Sequence, residues 1–272
     1  MKIKIIVLLL IYCPVIFSQS YKELSELALQ YAGTGNFELA EQYFKDALKL
    51  EPTNPQNALL FSNLGTLQRK QNRSEEALES YSYALNIVPK NVPILLNRAS
   101  LYLELGNESR AHTDYSIVLD VDPGNTEALF FRAYINMNRR DYNLAEKDYD
   151  LLLKLEPENI GGRMGLANLY QRQKEYRKSL DILNKLLTEY PDDATFYIAR
   201  ADLESDMKHI DLALADLEQA IQLSPSNSEA YILRGHIYLE QNQKALAKMD
   251  FEKAISLGIP PAQLTEELKK CK

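Results

Sequence analysis

Proline spacing rules this chain. Pro89, Pro123, Pro157, Pro191 and Pro225 follow one another at intervals of 34 residues, and Pro52 precedes Pro89 by 37, with Pro55-Gln56-Asn57 as a three-residue insertion. A fixed period of this length means that one small structural unit is copied along the chain. The frame places seven copies at 21–54, 58–91, 92–125, 126–159, 160–193, 194–227 and 228–261. Position eight of each copy is small: Ala28, Gly65, Ala99, Ala133, Ala167, Ala201 and Gly235. Position twenty is small as well: Ala40, Ala77, Ala111, Ala145, Ser179, Ala213 and Ala247. Position twenty-four is large and apolar: Phe44, Tyr81, Tyr115, Tyr149, Leu183, Leu217 and Phe251. The spacing is that of helices rather than strands. Two small positions mark a close crossing of two helices, and the large one fills the space between them. Proline at position thirty-two ends the second helix; the last copy has Ile259 there, followed at once by Pro260 and Pro261.

This pattern resembles the tetratricopeptide repeat (TPR) family over residues 21 to about 261. One departure is position four, where the family often has Trp and this chain has Leu24, Phe61, Leu95, Leu129, Arg163, Tyr197 and Tyr231. Arg163 marks the fifth repeat as irregular. The resemblance implies an all-α fold, an α-solenoid of seven helix-turn-helix repeats wound as a right-handed superhelix. The tail 262–272 carries Leu264, Leu268 and Cys271 at helical spacing and reads as a capping helix over the last repeat.

The first residues differ from the rest. Lys2 and Lys4 precede an apolar run from Ile5 to Phe17, and Ser18-Gln19-Ser20 returns to small and polar residues, the order of a secretory signal peptide. Thirteen residues fall short of the ~20 a spanning helix needs, although an uncleaved anchor or a buried first helix stays open. Tyr12 stands where a bacterial lipobox has Gly, Ala or Ser, so lipidation of Cys13 is open but poorly supported. Removing residues 1–18 takes the net charge from −7 to −9 and leaves Cys271 as the single thiol, so no internal disulfide forms. With no basic run, nucleic acid is a poor partner, and no membrane insertion is expected after cleavage. Localisation is expected to be exported, in a bacterial periplasm or cell envelope, or otherwise secreted.

No constellation of residues suggests catalysis, and no cofactor or metal is expected. His112, His209 and His236 lie in different repeats without Cys or carboxylates at ligand spacing. Gly33-Thr34-Gly35-Asn36 lacks the lysine and preceding strand of a phosphate loop and sits in an inter-helix turn. Asn72-Arg73-Ser74 and Asn107-Glu108-Ser109 match glycosylation acceptors in similar turns.

The resemblance further implies that first helices line a concave groove, with positions two, five, nine and twelve facing it and six at its edge. Those positions give Leu96 and Leu103 in the third repeat, Phe130, Tyr134 and Met137 with Phe131 beside them in the fourth, and Met164 and Asn168 in the fifth. Asp202 follows in the sixth, and Asn63 and Asn97 hold position six in the second and third. Phe130, Tyr134 and Met137 share one helix face. Either they form a recognition surface for an apolar or aromatic segment, or neighbouring helices bury them. Gly161, Gly162 and Gly165 either open a recess beside them or permit close packing. The carboxylate clamp of chaperone-binding relatives is absent, since Ser25, Leu29, Pro93 and Asn97 occupy its positions.

One covariation lies inside the chain. Position seven is Arg98, Arg132, Arg200 or Arg234 in the four repeats whose position twenty-three is Asp114, Asp148, Asp216 or Asp250. The other three pair Leu27, Leu64 and Leu166 with Tyr43, Ser80 and Ile182. The match implies an Arg–Asp pair between the helices of one repeat or across the next boundary. The expected function is a non-catalytic scaffold or adaptor that binds protein or peptide in the groove. The alternative is a structural envelope component that self-associates, homo-oligomer formation being open. The signal order predicts that the native mature chain starts at Gln19: intact-mass measurement from the source cells should show residues 1–18 missing, and Met1 in the folded pool would refute it.

Overall fold

The computed structural model describes residues 19–272, so the signal-peptide and lipidation expectations for 1–18 lie outside the described residues. Among the described residues the regular elements are all helices. Their contacts fall into two compact units, one ending at Val121 and the other running from Asp122 to Lys272. Where the repeat frame takes 21–261 as one domain, the division comes between the third and fourth repeats. Repeat arrays are bound by neighbour contacts alone, so any junction can become such a boundary.

The first unit contains α1 (Tyr21–Gly33) and α2 (Phe37–Leu50), α3 (Asn57–Lys70) and α4 (Ser74–Ile87), and α5 (Val92–Glu104) and α6 (Glu108–Val121). The second contains α7 (Thr126–Asn138) and α8 (Tyr142–Leu155), α9 (Ile160–Arg172) and α10 (Tyr176–Glu189), α11 (Ala194–Asp206) and α12 (Ile210–Leu223), and α13 (Ser228–Glu240) and α14 (Lys244–Ser256). A 3-10 turn over Pro261–Leu264 and α15 (Thr265–Lys270) follow. Each pair is an antiparallel hairpin, and each second helix packs on the next first helix within its unit.

Local chemistry sets the helix ends. Repeat position thirty-four caps the next first helix: the side chains of Asn91, Asn125, Asn159, Asp193 and Asn227 each accept a backbone amide at 2.8–3.2 Å. The residue before each of Pro52, Pro89, Pro157, Pro191 and Pro225 leaves the helix at φ between −129 and −137, because proline bars its predecessor from helical geometry. The turn within each hairpin needs one left-handed residue at position fifteen. Gly35 and Gly106 supply it without strain; Asn72, Arg140, Lys174, Lys208 and Asn242 adopt φ of 58–65° there.

The crossing of each hairpin is tight. The alanines at position twenty are fully buried, as is Ser179, and the side chains at position twenty-four are at most 2% exposed. At Gly235 a Cβ would stand 2.7 Å from the Phe251 ring, and at Gly65 it would stand 3.0 Å from Tyr81 and 3.1 Å from the Ala77 carbonyl. The small residue and the large one are therefore two halves of one fit. The inserted segment before α3 ends in Asn57, which is buried, accepts from the Tyr21 hydroxyl at 3.0 Å and donates to the Glu51 carbonyl at 2.7 Å.

The four Arg–Asp pairs form within hairpins. Arg98, Arg132, Arg200 and Arg234 each donate through Nε and Nη2 to both carboxylate oxygens of Asp114, Asp148, Asp216 and Asp250 at 2.7–2.9 Å. The aspartates are buried, and the arginines are about a fifth to a quarter exposed. Arg98 and Arg200 also reach the preceding repeat: Arg98 Nη1 donates to Ser82 Oγ at 3.1 Å, and Arg200 Nη1 to Asn184 Oδ1 at 2.7 Å. In the second repeat, Ser80 donates to Gln68 Oε1 at 2.7 Å instead. Arg163, the irregular position four, turns to Glu189 at the end of α10, with Nη2 donating at 2.7 Å.

At the C-terminus, Leu264 is buried against Tyr231, Phe251 and Ala254, with Leu268 and Cys271 packed partly against the same cluster. Burial pushes the Cys271 thiol above its ordinary value.

Two predictions follow from these fits. Asp216→Ala leaves Arg200 without its fork partner and should cost roughly 2–3 kcal/mol in urea unfolding, below the ~3–5 of a fully enclosed pair; a loss under ~1 would class it with surface pairs. Lys174→Gly and Lys208→Gly should each stabilise by roughly 0.5–1 kcal/mol, since relief of the left-handed conformation outweighs the entropy of glycine; a lower urea midpoint would contradict this.

Candidate functional site

The second unit contains a cavity of about 590 Å³ lined by four consecutive first helices, α7, α9, α11 and α13. The 34-residue frame arranges its lining in rows. Position five contributes Phe130, Met164, Ile198 and Ile232, all apolar. Position nine, one helical turn on, contributes Tyr134, Asn168, Asp202 and His236, all able to hydrogen-bond. Position two adds Gly161, Thr195 and Glu229. The buried side chains Tyr149 of α8 and Ser179 and Leu183 of α10 complete it from the second helices.

Of the residues expected from sequence, Phe130, Tyr134, Met137, Met164, Asn168 and Asp202 share this one cavity. Their exposures differ. Tyr134 is 42% exposed, whereas Met137 is 3% exposed and helps form the wall rather than an open surface, which corrects its reading as an exposed groove residue. Phe131 does not line the cavity; its ring meets Phe130 edge-on, with centroids 5.1 Å apart. Asn63, Leu96, Asn97 and Leu103 belong to the first unit, on α3 and α5, where each is half-buried. In that unit the corresponding face carries polar contacts beside Leu29, Leu96 and Leu103: Arg69 donates to Ser100 Oγ at 2.9 Å and pairs with Glu104, and the Thr66 and Tyr81 hydroxyls are 3.0 Å apart.

The glycines behave differently from a simple recess. A Cβ on Gly165 would fall 2.5 Å from the Tyr149 ring, and one on Gly162 would fall 2.9 Å from Leu152. Both spaces are filled by neighbouring side chains, so close packing is the reason for these two glycines. Gly161 is exposed, and Phe130 lies over it, 3.2 Å from where a Cβ would be. Phe130 also meets Tyr149 edge-on at 6.2 Å. Burial pushes the Tyr149 phenol well above its ordinary value, so it stays neutral.

The polar row is organised from within. Gln171 Nε2 donates to Asp202 Oδ2 and to Asp206 Oδ2, both at 2.8 Å. Arg172 Nε donates to Asn168 Oδ1 at 3.0 Å. His236 stands edge-on to Phe251 with centroids 5.3 Å apart. The Ser179 hydroxyl is fully buried and has no hydrogen-bond partner in the protein. Among residues missed by the sequence reading, Thr195 and Glu229 stand at position two and were accessible to the same frame. Ser179 had a signal too, as the single departure from alanine at position twenty. Tyr149 and Leu183 gave none, since position twenty-four reads as hairpin interior.

Among the described residues no group of three or more His, Cys, Asp or Glu is placed to hold a metal ion, and no helix is long and apolar enough to cross a membrane. Tetratricopeptide repeat family models match residues 23–90, 96–160, 137–203, 194–227 and 228–257. A tetratricopeptide repeat protein from Parabacteroides merdae is 39% identical, with a TM-score of 0.80, over 93% of this chain and 99% of that one. This chain belongs to the tetratricopeptide repeat family. The TPR fold also appears in pilF of Pseudomonas aeruginosa, at 17% identity and a TM-score of 0.60 over 79% of this chain and 97% of that one. YrrB, described as a TPR protein with an unusual peptide-binding site, matches at 16% identity and a TM-score of 0.57 over 69% and 95%. No curated protein matches the chain. As an α-solenoid of TPR hairpins, it has the fold of a protein-binding scaffold.

Proposed function

We propose that this TPR protein is a non-catalytic adaptor that binds a partner polypeptide in the cavity of its second unit, with an apolar or aromatic side chain of the partner as anchor. The observation that carries this reading is the pairing of rows: four apolar side chains at position five beside four hydrogen-bonding ones at position nine. An apolar row supplies energy by excluding water, and a polar row fixes the register of a main chain. Tyr134 is an aromatic held in the open at the polar row, the kind of residue in which binding energy concentrates. Peptide recognition has a precedent in the fold, in YrrB with its unusual peptide-binding site. The segment before Gln19 has the order of an export signal, so we place the adaptor's work outside the cytoplasm, in an envelope or secreted setting. End-to-end stacking through the last repeat is disfavoured, because Leu264 and Leu268 occupy the face such stacking would use.

The test uses a photo-crosslinking residue in place of Tyr134 in the source cells, followed by affinity measurement with the captured partner. Tyr134→Ala should weaken binding at least tenfold, about 1.4 kcal/mol, and leave the thermal midpoint within a degree or two. Phe130→Ala should weaken binding more, and also cost some stability, since its ring packs on Gly161 and Tyr149. Binding unchanged by both substitutions would place the site elsewhere.

A further inference from the structure

The cavity is not electrically neutral. Asp202 and Glu229 line it, and no lysine or arginine does. Asp206, one turn beyond Asp202, shares the Gln171 amide with it. A single neutral NH2 group thus bridges two carboxylates, which leaves like charges side by side with no cation between them. Arg172 donates to the neutral Asn168 amide at 3.0 Å, and Lys208 lies 3.4 Å from Glu240. Glu229 lies at position two, on the other side of the apolar row. The apolar row therefore has one lining carboxylate on each margin, Asp202 at position nine and Glu229 at position two.

We propose, on the reading of this cavity as a partner-binding site, that the bound segment carries a large apolar side chain with a lysine or arginine within about three residues of it. The apolar group sits on Phe130, Met164 and Ile198, and the cation is taken by Asp202 and Asp206. The spacing comes from the geometry of the two rows. Residues four apart on a helix lie about 6 Å from each other, and an extended chain advances about 3.3 Å per residue, so a side chain two or so residues from the anchor reaches the neighbouring row. An ammonium or guanidinium there relieves the repulsion between Asp202 and Asp206 that the Gln171 amide leaves in place, and a guanidinium can bond a carboxylate at two points. An acidic segment meets the opposite: three carboxylates, and no lysine or arginine in the cavity lining.

The probe is a display library of randomised twelve-residue peptides, selected on the chain from Gln19 and, in parallel, on Asp202→Asn/Asp206→Asn and on Tyr134→Ala. The expected result is enrichment of a large apolar residue together with Lys or Arg within three positions of it, at least fivefold over the input library. The double asparagine variant should keep the apolar preference and lose the basic one. A peptide from the wild-type selection should bind that variant about tenfold more weakly, with a shallower dependence on salt. Apolar enrichment with neutral or acidic flanks would overturn this inference and leave the adaptor reading standing. Selection of no peptide, or a selection that Tyr134→Ala does not alter, would overturn the adaptor reading and this inference with it.

Discussion

Everything in this molecule depends on how closely two helices can cross. In each hairpin one small residue on either helix lets the backbones approach, and one large side chain from the second helix closes the gap. The fit leaves so little room that a single added methyl at Gly235 would meet the Phe251 ring at 2.7 Å. With the crossing fixed, the rotation of each helix is fixed too, and so is the set of positions that face away from the hairpin interior. The rows that line the cavity are the outward consequence of that inward constraint.

The Arg–Asp forks act on a different axis. They tie the two helices of a repeat at a point where packing alone would leave a polar edge. At Arg98 and Arg200 the same guanidinium extends to the second helix of the repeat before. A planar group with donors on several sides serves two neighbours at once, which a lysine does not do. Where the fork is missing in the second repeat, a Ser80–Gln68 hydrogen bond uses the place of the aspartate.

Much of this was legible in the sequence. The 34-residue proline period and the residues at positions eight, twenty and twenty-four define the hairpins, because those features are local and repeated. The Arg–Asp covariation was visible for the same reason, although only coordinates show that the fork closes within a repeat. The site was legible as a set of directions but not as a surface. Repeat position says which way Met137 points; it does not say that neighbours bury it to 3% exposure. The three glycines of the fifth repeat likewise announce missing bulk without saying what fills it. Tyr149 does so at Gly165, Leu152 at Gly162, and the Phe130 ring lies over Gly161. Charge at the cavity margin was hardest to see, since it arises where Gln171, Asp202 and Asp206, from two different repeats, come together.

In the second unit, each repeat gives the cavity one apolar side chain and one polar side chain, drawn from the same two places in its first helix. Most residues that hold the hairpin together occupy other places, with Tyr149, Ser179 and Leu183 serving both. What positions five and nine recognise and what the fold requires are therefore written largely in different letters of the same 34-letter word. Such a surface can be revised one word at a time, with each exchange altering a single pair of contacts while the interior of the hairpin keeps its spelling.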